Sequence, residues 1–194
     1  AVAQLPGPGQ LLVATEEVRG PFFRETVVLL LHYDEEGAQG LVINRPMPAT
    51  PQEILPDLEG IDRYQGTLYW GGPVQLGSLR ALLRSSDPPR EAFHVFGDVY
   101  LLPLDEHMPD AATDASGLRF FIGYAGWGAG QLDMELLRES WHVVPASGDL
   151  VFAEDAGGIW RRLMPPSTIR AATGRGWSHS IYSAAGVDKT QYIE

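Results

Sequence analysis

Hydrophobic positions fall along this chain in short runs, and the longest, Glu25 to Tyr33 (ETVVLLLHY), is apolar almost without interruption and rich in β-branched residues. A run of strand length that does not alternate has both faces covered, so it is expected inside a sheet. Asp34-Glu35-Glu36-Gly37 breaks it as a turn, and Gly40 to Asn44 resumes as a partner strand, predicting a hairpin that Pro46 and Pro48 then stop. Gln10 to Thr15, Thr67 to Trp70, Ser78 to Arg84, Phe93 to Leu102 and Leu118 to Tyr124 repeat the strand pattern between Gly, Pro, Ser and Asp clusters. Thr50-Pro51-Gln52-Glu53 combines a capping hydroxyl, proline at the first helical position and glutamate three residues after the threonine, which predicts a short helix to about Leu58. A helical turn or two over Leu104 to Ala115, helices over Gln131 to Ser140 and Ile159 to Met164, and a hairpin of Trp141 to Val144 with Leu150 to Phe152 complete the reading. These elements do not alternate strictly. The expected class is α+β: a single compact domain over residues 1–164 with a mixed, strongly bent, barrel-like sheet and flanking helices, then a polar extension over residues 165–194.

The chemistry is less definite. Phe121 to Trp141 (FIGYAGWGAGQLDMELLRESW) reads as a strand running through Gly126, Gly128 and Gly130 into an amphipathic helix. Such a turn lets backbone approach a ligand, and the amides opening the helix at Gln131 can receive an anion. Against this, the spacing is not G-x-G-x-x-G, no Lys-Ser/Thr pair follows, and Asp133 and Glu135 already place negative charge in the first turn. The competing reading is a tight turn that packs helix on sheet. On the helix, Leu132, Met134, Leu136, Leu137 and Trp141 form a stripe assigned to the core, with Asp133, Glu135 and Glu139 assigned to solvent.

Asn44-Arg45-Pro46 at a strand end and Gly71-Gly72-Pro73 after Trp70 are turns where polar groups and bare backbone can meet. An arginine there suits a carboxylate or phosphate, because its planar fork pairs bidentately; a surface arginine beside two ordinary loops is the alternative. The five histidines show no H-x-H or H-E-x-x-H spacing, no G-x-S-x-G elbow is present, and the chain has no cysteine. No metal site and no cofactor are expected, and no catalytic residue is assigned.

Net charge is −11, divided into −14 for residues 1–159 and +3 from Trp160 onward. DNA binding rests on neutralising phosphates with Lys and Arg, so direct DNA binding by this acidic body is not expected; an arm from Arg161 to Lys189 is the exception to consider. No apolar run reaches the ~18 residues needed to span a bilayer, and the first residues do not resemble a secretory signal, so the expectation is a cytoplasmic protein off the membrane.

GAQGLVINRP (Gly37 to Pro46), GGPV (Gly71 to Val74), FIGYAGWGAGQLDMELLRESW, then LVF at Leu150 to Phe152 and Trp160, in this order and spacing, closely resemble the AlgH/YqgE family of bacterial proteins. The resemblance runs from about Gly9 to Met164 and implies a cytosolic α+β protein with a folded-over sheet and no established biochemical activity; one branch is labelled a regulator of alginate synthesis. It covers Asn44, Arg45, Gly71, Gly72, Pro73, Tyr124, Trp127 and Gln131, which are expected to converge on one binding site. The resulting expectation is a non-catalytic regulatory protein that binds a small molecule or a protein partner. The alternative is a hydrolase or transferase acting on a phosphorylated or carboxylated small molecule, with Arg45 as anchor and Glu135 as base.

Overall fold

The computed structural model describes residues 6–104 and 117–164. Residues 105–115 of the expected helical segment, and the extension from Pro165, lie outside the described residues. In chain order the strands are β1 (Gln10–Ala14), β2 (Val27–Asp34), β3 (Gly37–Val42), β4 (Leu68–Trp70), β5 (Val74–Arg84), β6 (Phe93–Phe96), β7 (Val99–Leu102), β8 (Leu118–Gly128) and β9 (Trp141–Pro145). Among the described residues four short helices join them: α1 (Pro51–Ile54), α2 (Gln131–Leu137), α3 (Gly148–Val151) and α4 (Ile159–Leu163), with 3₁₀ turns at Ile61–Arg63 and Ala156–Gly158.

One sheet runs in the order β6-β7-β5-β8-β3-β2-β1-β9, and the long β8 is its spine. β5 pairs with one edge of β8, while β4 and β3 lie end to end along the other, β4 parallel and the rest antiparallel. This is the expected mixed, curled α+β sheet. Its curl brings the two ends of the strand order together: Phe96 on β6 lies against Gly9 before β1, and Arg84 on β5 reaches Asp98 and Asp149, each at 2.7 Å.

Burial on both faces explains the unbroken apolar runs. Leu11, Val13, Val27, Leu29, Leu41 and Phe121 face one core with Trp160 and Ile159 of α4, whereas Leu12, Ala14, Val28, Leu30, Val42 and Ala125 face a second core beneath α2. A third core gathers Leu68, Leu83, Leu118 and Phe120 under the segment from Leu58 to Tyr64. Val27 to Leu30 are fully buried, each such side chain adding roughly 1.5–3 kcal/mol relative to exposure.

Two glycines make the central junction possible. The chain leaves β4 through Gly71-Gly72 and crosses the spine at Gly123: Gly71 N–H donates to the Ile122 carbonyl at 2.8 Å, and Val42 N–H donates to the Gly71 carbonyl at 2.8 Å. Gly72 and Gly123 have φ of +151° and +66°, and a Cβ on either would collide with the other segment's backbone, so only glycine fits both.

The structure departs from the sequence reading in places. β8 continues through Gly126 and Gly128, which pair with Gln39 and Gly37 of β3, so the glycine-rich stretch is mostly strand and only Ala129-Gly130 turns. The expected second strand of a hairpin at Leu150 to Phe152 is instead within and after α3, because Ser147 Oγ caps the segment by accepting from Leu150 N–H at 3.3 Å. Helix α2 ends at Leu137, and Met134 and Leu137, assigned to the core stripe, are 50% and 78% exposed.

Candidate functional site

Residues marked as candidates by sequence divide into three neighbourhoods. Gly71, Gly72 and Pro73 are buried in the junction just described. Tyr124 adjoins the same junction, its backbone against Gly72, and its ring centroid lies 4.4 Å from the Arg80 guanidinium. None of these residues lines the cavity that holds Asn44 and Arg45.

Trp127 and Gln131 belong to a closed polar network around Glu135. One carboxylate oxygen, Oε2, accepts from Trp127 Nε1 at 2.9 Å and from Trp141 Nε1 at 2.7 Å; Oε1 accepts from Gln131 Nε2 at 3.0 Å. Gln131 in turn accepts from Gly128 N–H at 3.1 Å, tying the end of β8 to the start of α2. Both tryptophans are buried, at 7% and 5% exposure. Glu135 is therefore not the solvated glutamate of the sequence reading: it is the acceptor for two buried indoles.

Asn44 and Arg45 occupy the third neighbourhood, an open cavity of about 440 Å³. Arg19, Pro21, Arg24 and Glu25 line it from the segment before β2, Asn44 and Arg45 from the segment after β3, and Gly157 from the 3₁₀ turn before α4. Asn44 is buried and acts as the brace: its Oδ1 accepts from Val27 N–H at 2.8 Å and its Nδ2 donates to the Glu25 carbonyl at 2.9 Å. That brace holds Glu25 at φ +58°, a left-handed conformation that costs a non-glycine residue about 1 kcal/mol or more. Half-buried Arg45 donates to the Arg24 carbonyl at 2.6 Å. Burial pulls its guanidinium below the ordinary arginine value, Glu25 opposes the shift, and the neighbouring Arg24 adds to it.

Three arginines thus line one cavity with a single carboxylate, Glu25. Arg19 lies 3.9 Å from Glu17 and Arg24 3.9 Å from Glu25, both pairs exposed. Such pairs contribute little. Burial disfavours an arginine's charge, and an anion in the cavity would offset that penalty. Sequence reasoning found Arg45 but not Arg19 or Arg24, which sit in a loop without periodicity. The available signal was Arg19 to Arg24, RGPFFR, a pair of aromatics flanked by cations.

Those aromatics link the cavity to the Glu135 network. Phe22 stacks on Trp70 with ring centroids 6.1 Å apart and planes 20° apart. Phe23 sits among Trp70, Trp127 and Trp141, with centroid distances of 6.2, 6.3 and 6.1 Å. The arginine-bearing loop is thereby anchored on the same indoles that Glu135 holds.

Comparison with known proteins follows the fold. A family model described as AlgH-like matches residues 11–171. A protein of the UPF0301 group from Streptomyces avermitilis is 39% identical over 163 residues, covering 80% of this chain and 84% of its own, and one from Rhodococcus opacus is 35% identical over 162 residues, covering 81% of each. The crystal structure of a Corynebacterium diphtheriae protein superposes with a TM-score of 0.70 at 22% identity over 87% of this chain and 93% of its own, a likeness of fold. The solution structure of the AlgH protein from Pseudomonas aeruginosa gives a TM-score of 0.63 at 27% identity, over 89% and 98%. With the curled sheet, the Gly71-Gly72 crossing and the Trp127–Glu135–Trp141 network all falling inside the matched span, the chain belongs to the AlgH-like (UPF0301) family.

Proposed function

We propose that this protein is a non-catalytic, cytoplasmic regulatory protein that binds an anionic small molecule in the cavity bounded by Arg19, Arg24 and Arg45. The carrying observation is that three guanidinium groups, one of them half-buried and braced, meet on a cavity of about 440 Å³ in a chain of net charge −11. A ligand pocket needs a few fixed polar groups in a concave site, and the Asn44 brace supplies the fixing. The regulatory part of the reading envisages an output other than direct DNA contact, which the −14 charge of residues 1–159 disfavours. The enzyme alternative loses its base in this arrangement: both Glu135 oxygens accept hydrogen bonds from Trp127, Trp141 and Gln131, and Glu135 does not line the cavity.

A thermal-shift series with small phosphates and carboxylates tests the proposal. An anion at a hundredfold excess over its Kd stabilises the native state by about 2.7 kcal/mol, which raises Tm by roughly 5–10 °C in a domain of this size. The Arg45→Ala variant is expected to lose that rise. Equal shifts in the two proteins would remove the cavity from consideration.

A further inference from the structure

Of the described residues, three other than glycine have a positive φ, Glu25, Gln75 and Glu139, and Glu25 is the one on the wall of the arginine cavity. The hydrophobic pattern starts a strand at Glu25, yet β2 begins at Val27. Before it the chain turns: the Phe23 carbonyl accepts from Thr26 N–H at 3.3 Å and from Thr26 Oγ at 2.8 Å, so Arg24 and Glu25 are the central pair of a four-residue turn. Glu25 stands third in it, at φ +58°. A turn with positive φ at that place takes glycine or asparagine, because a larger side chain crowds the backbone there. Glutamate breaks this local rule, and such breaks collect where a structure holds a conformation for use. The contacts that hold it are specific. Two successive carbonyls, of Arg24 and Glu25, accept from two successive side chains, Arg45 Nη2 at 2.6 Å and Asn44 Nδ2 at 2.9 Å. Asn44 is 5% exposed, and its Oδ1 accepts from Val27 N–H at 2.8 Å, so one amide clamps the chain on both sides of Thr26.

We infer that Asn44 is a positioning residue of the anion site: it pins the left-handed turn at Glu25, and the turn fixes the Arg24 carbonyl against which the Arg45 guanidinium rests. This rests on the anion-binding reading above, and within it Asn44 moves from a ligand contact, as the sequence suggested, to a support. The path is short, from Asn44 Nδ2 to the Glu25 carbonyl, along one residue to the Arg24 carbonyl, and on to Arg45 Nη2. Without the clamp Glu25 relaxes toward negative φ, the two carbonyls no longer both face the segment after β3, and Arg45 loses its rest. A guanidinium already held by a carbonyl gives up less rotamer freedom when an anion arrives, so affinity follows the backbone conformation at Glu25 and not its carboxylate.

Backbone freedom at position 25 separates support from contact. Glu25→Ala and Glu25→Gly both remove the carboxylate, and only glycine takes a positive φ without strain. Asn44→Ala is combined with each, and inorganic phosphate is titrated calorimetrically into the full chain. In the Glu25→Ala background Asn44→Ala is expected to weaken phosphate about tenfold; in the Glu25→Gly background the loss is expected to stay below about threefold, because the turn then stands without its clamp. Unliganded melting curves should show the same order, with the Tm loss from Asn44→Ala smaller in the Glu25→Gly background. Asn44→Asp keeps the acceptor for Val27 N–H and removes the Nδ2 donor, and it takes the place of Asn44→Ala in both backgrounds if the alanine variant does not fold. A loss of affinity that is equal in the two backgrounds, or absent from both, would overturn the positioning role while leaving the anion site standing. Phosphate that fails to bind the parent chain, or that binds Arg45→Ala undiminished, would overturn the anion site itself and the positioning role with it.

Discussion

Two polar clusters in this protein are built from residues that look equally functional in the sequence, and they behave oppositely. Around Glu135 every donor meets an acceptor within the chain: two indoles and one amide converge on one carboxylate. Around Arg45 cations gather faster than carboxylates, and the carboxylate that shares their cavity stands 3.9 Å from Arg24. Buried polar groups in a closed network rigidify a fold, while a surplus of one charge at a concavity leaves a requirement that a ligand can meet. The distinction lies in partners, not in residue types. Glu135 and Arg45 are both candidates for chemistry in the sequence; Glu135 is held inside a closed network, and Arg45 lines an open cavity.

The sharpest way to break this contrast is to empty the closed network. Glu135→Ala leaves the Trp127 and Trp141 indoles without their acceptor, and a buried donor left unsatisfied costs about 1–3 kcal/mol. The expected loss is roughly 3 kcal/mol in urea unfolding, with a changed near-ultraviolet tryptophan signal and unchanged anion affinity in the folded fraction. Glu135→Gln, which keeps an acceptor oxygen, is expected to recover more than half. A loss under about 0.5 kcal/mol for the alanine variant would return Glu135 to the list of functional candidates.

A smaller effect is expected at the link between the clusters. Phe23 packs among three tryptophans while its neighbour Arg24 lines the cavity. Phe→Ala costs about 3–5 kcal/mol at a fully buried site, and Phe23 is only half-buried, so about 2 kcal/mol is expected. Because the loop loses its anchor, anion affinity should fall severalfold as well. Intact affinity in Phe23→Ala would show that the cavity is positioned by Asn44 alone.

Much of the architecture was legible because it follows from local pattern. The unbroken run Val27 to Leu31 announced a strand covered on both faces, and Glu53 indeed closes the first turn of α1 by accepting from Thr50 N–H at 2.7 Å. What could not be read depended on distant partners. Gly126 and Gly128 look like a turn until β3 is known to pair with them. Glu135 looks solvated until Trp127 and Trp141, eight residues before and six after, are folded over it. Leu150 to Phe152 is too short an apolar run for periodicity to separate strand from helix, and the Ser147 cap decides it. Arg45 stands out in the sequence by its place at a strand end, but Arg19 and Arg24, which share its cavity, come from a loop whose position is set by aromatic stacking on Trp70.

Arg84 supplies the control for the cavity arginines, and the smallest expected effect. It stands where the curled sheet meets α3, and both its neighbours are carboxylates at 2.7 Å, Asp98 and Asp149. Its hydrogen bond holds the Asp98 carboxyl below the ordinary 3.8, with slight burial working the other way. A carboxyl whose folded value is depressed adds stability that is complete above its unfolded value and fades as pH falls through the folded one. The pair therefore contributes at neutral pH and down to about pH 4, then fades below it, and its exposure keeps the contribution small. Asp98→Asn should lower Tm slightly at pH 7, and the difference from the parent should close as melting is repeated toward pH 2.5. A Tm difference that stays constant over that range would mean that Asp98 acts by packing and not by charge. In that case the contrast between Arg84 and Arg45 would rest on the cavity alone.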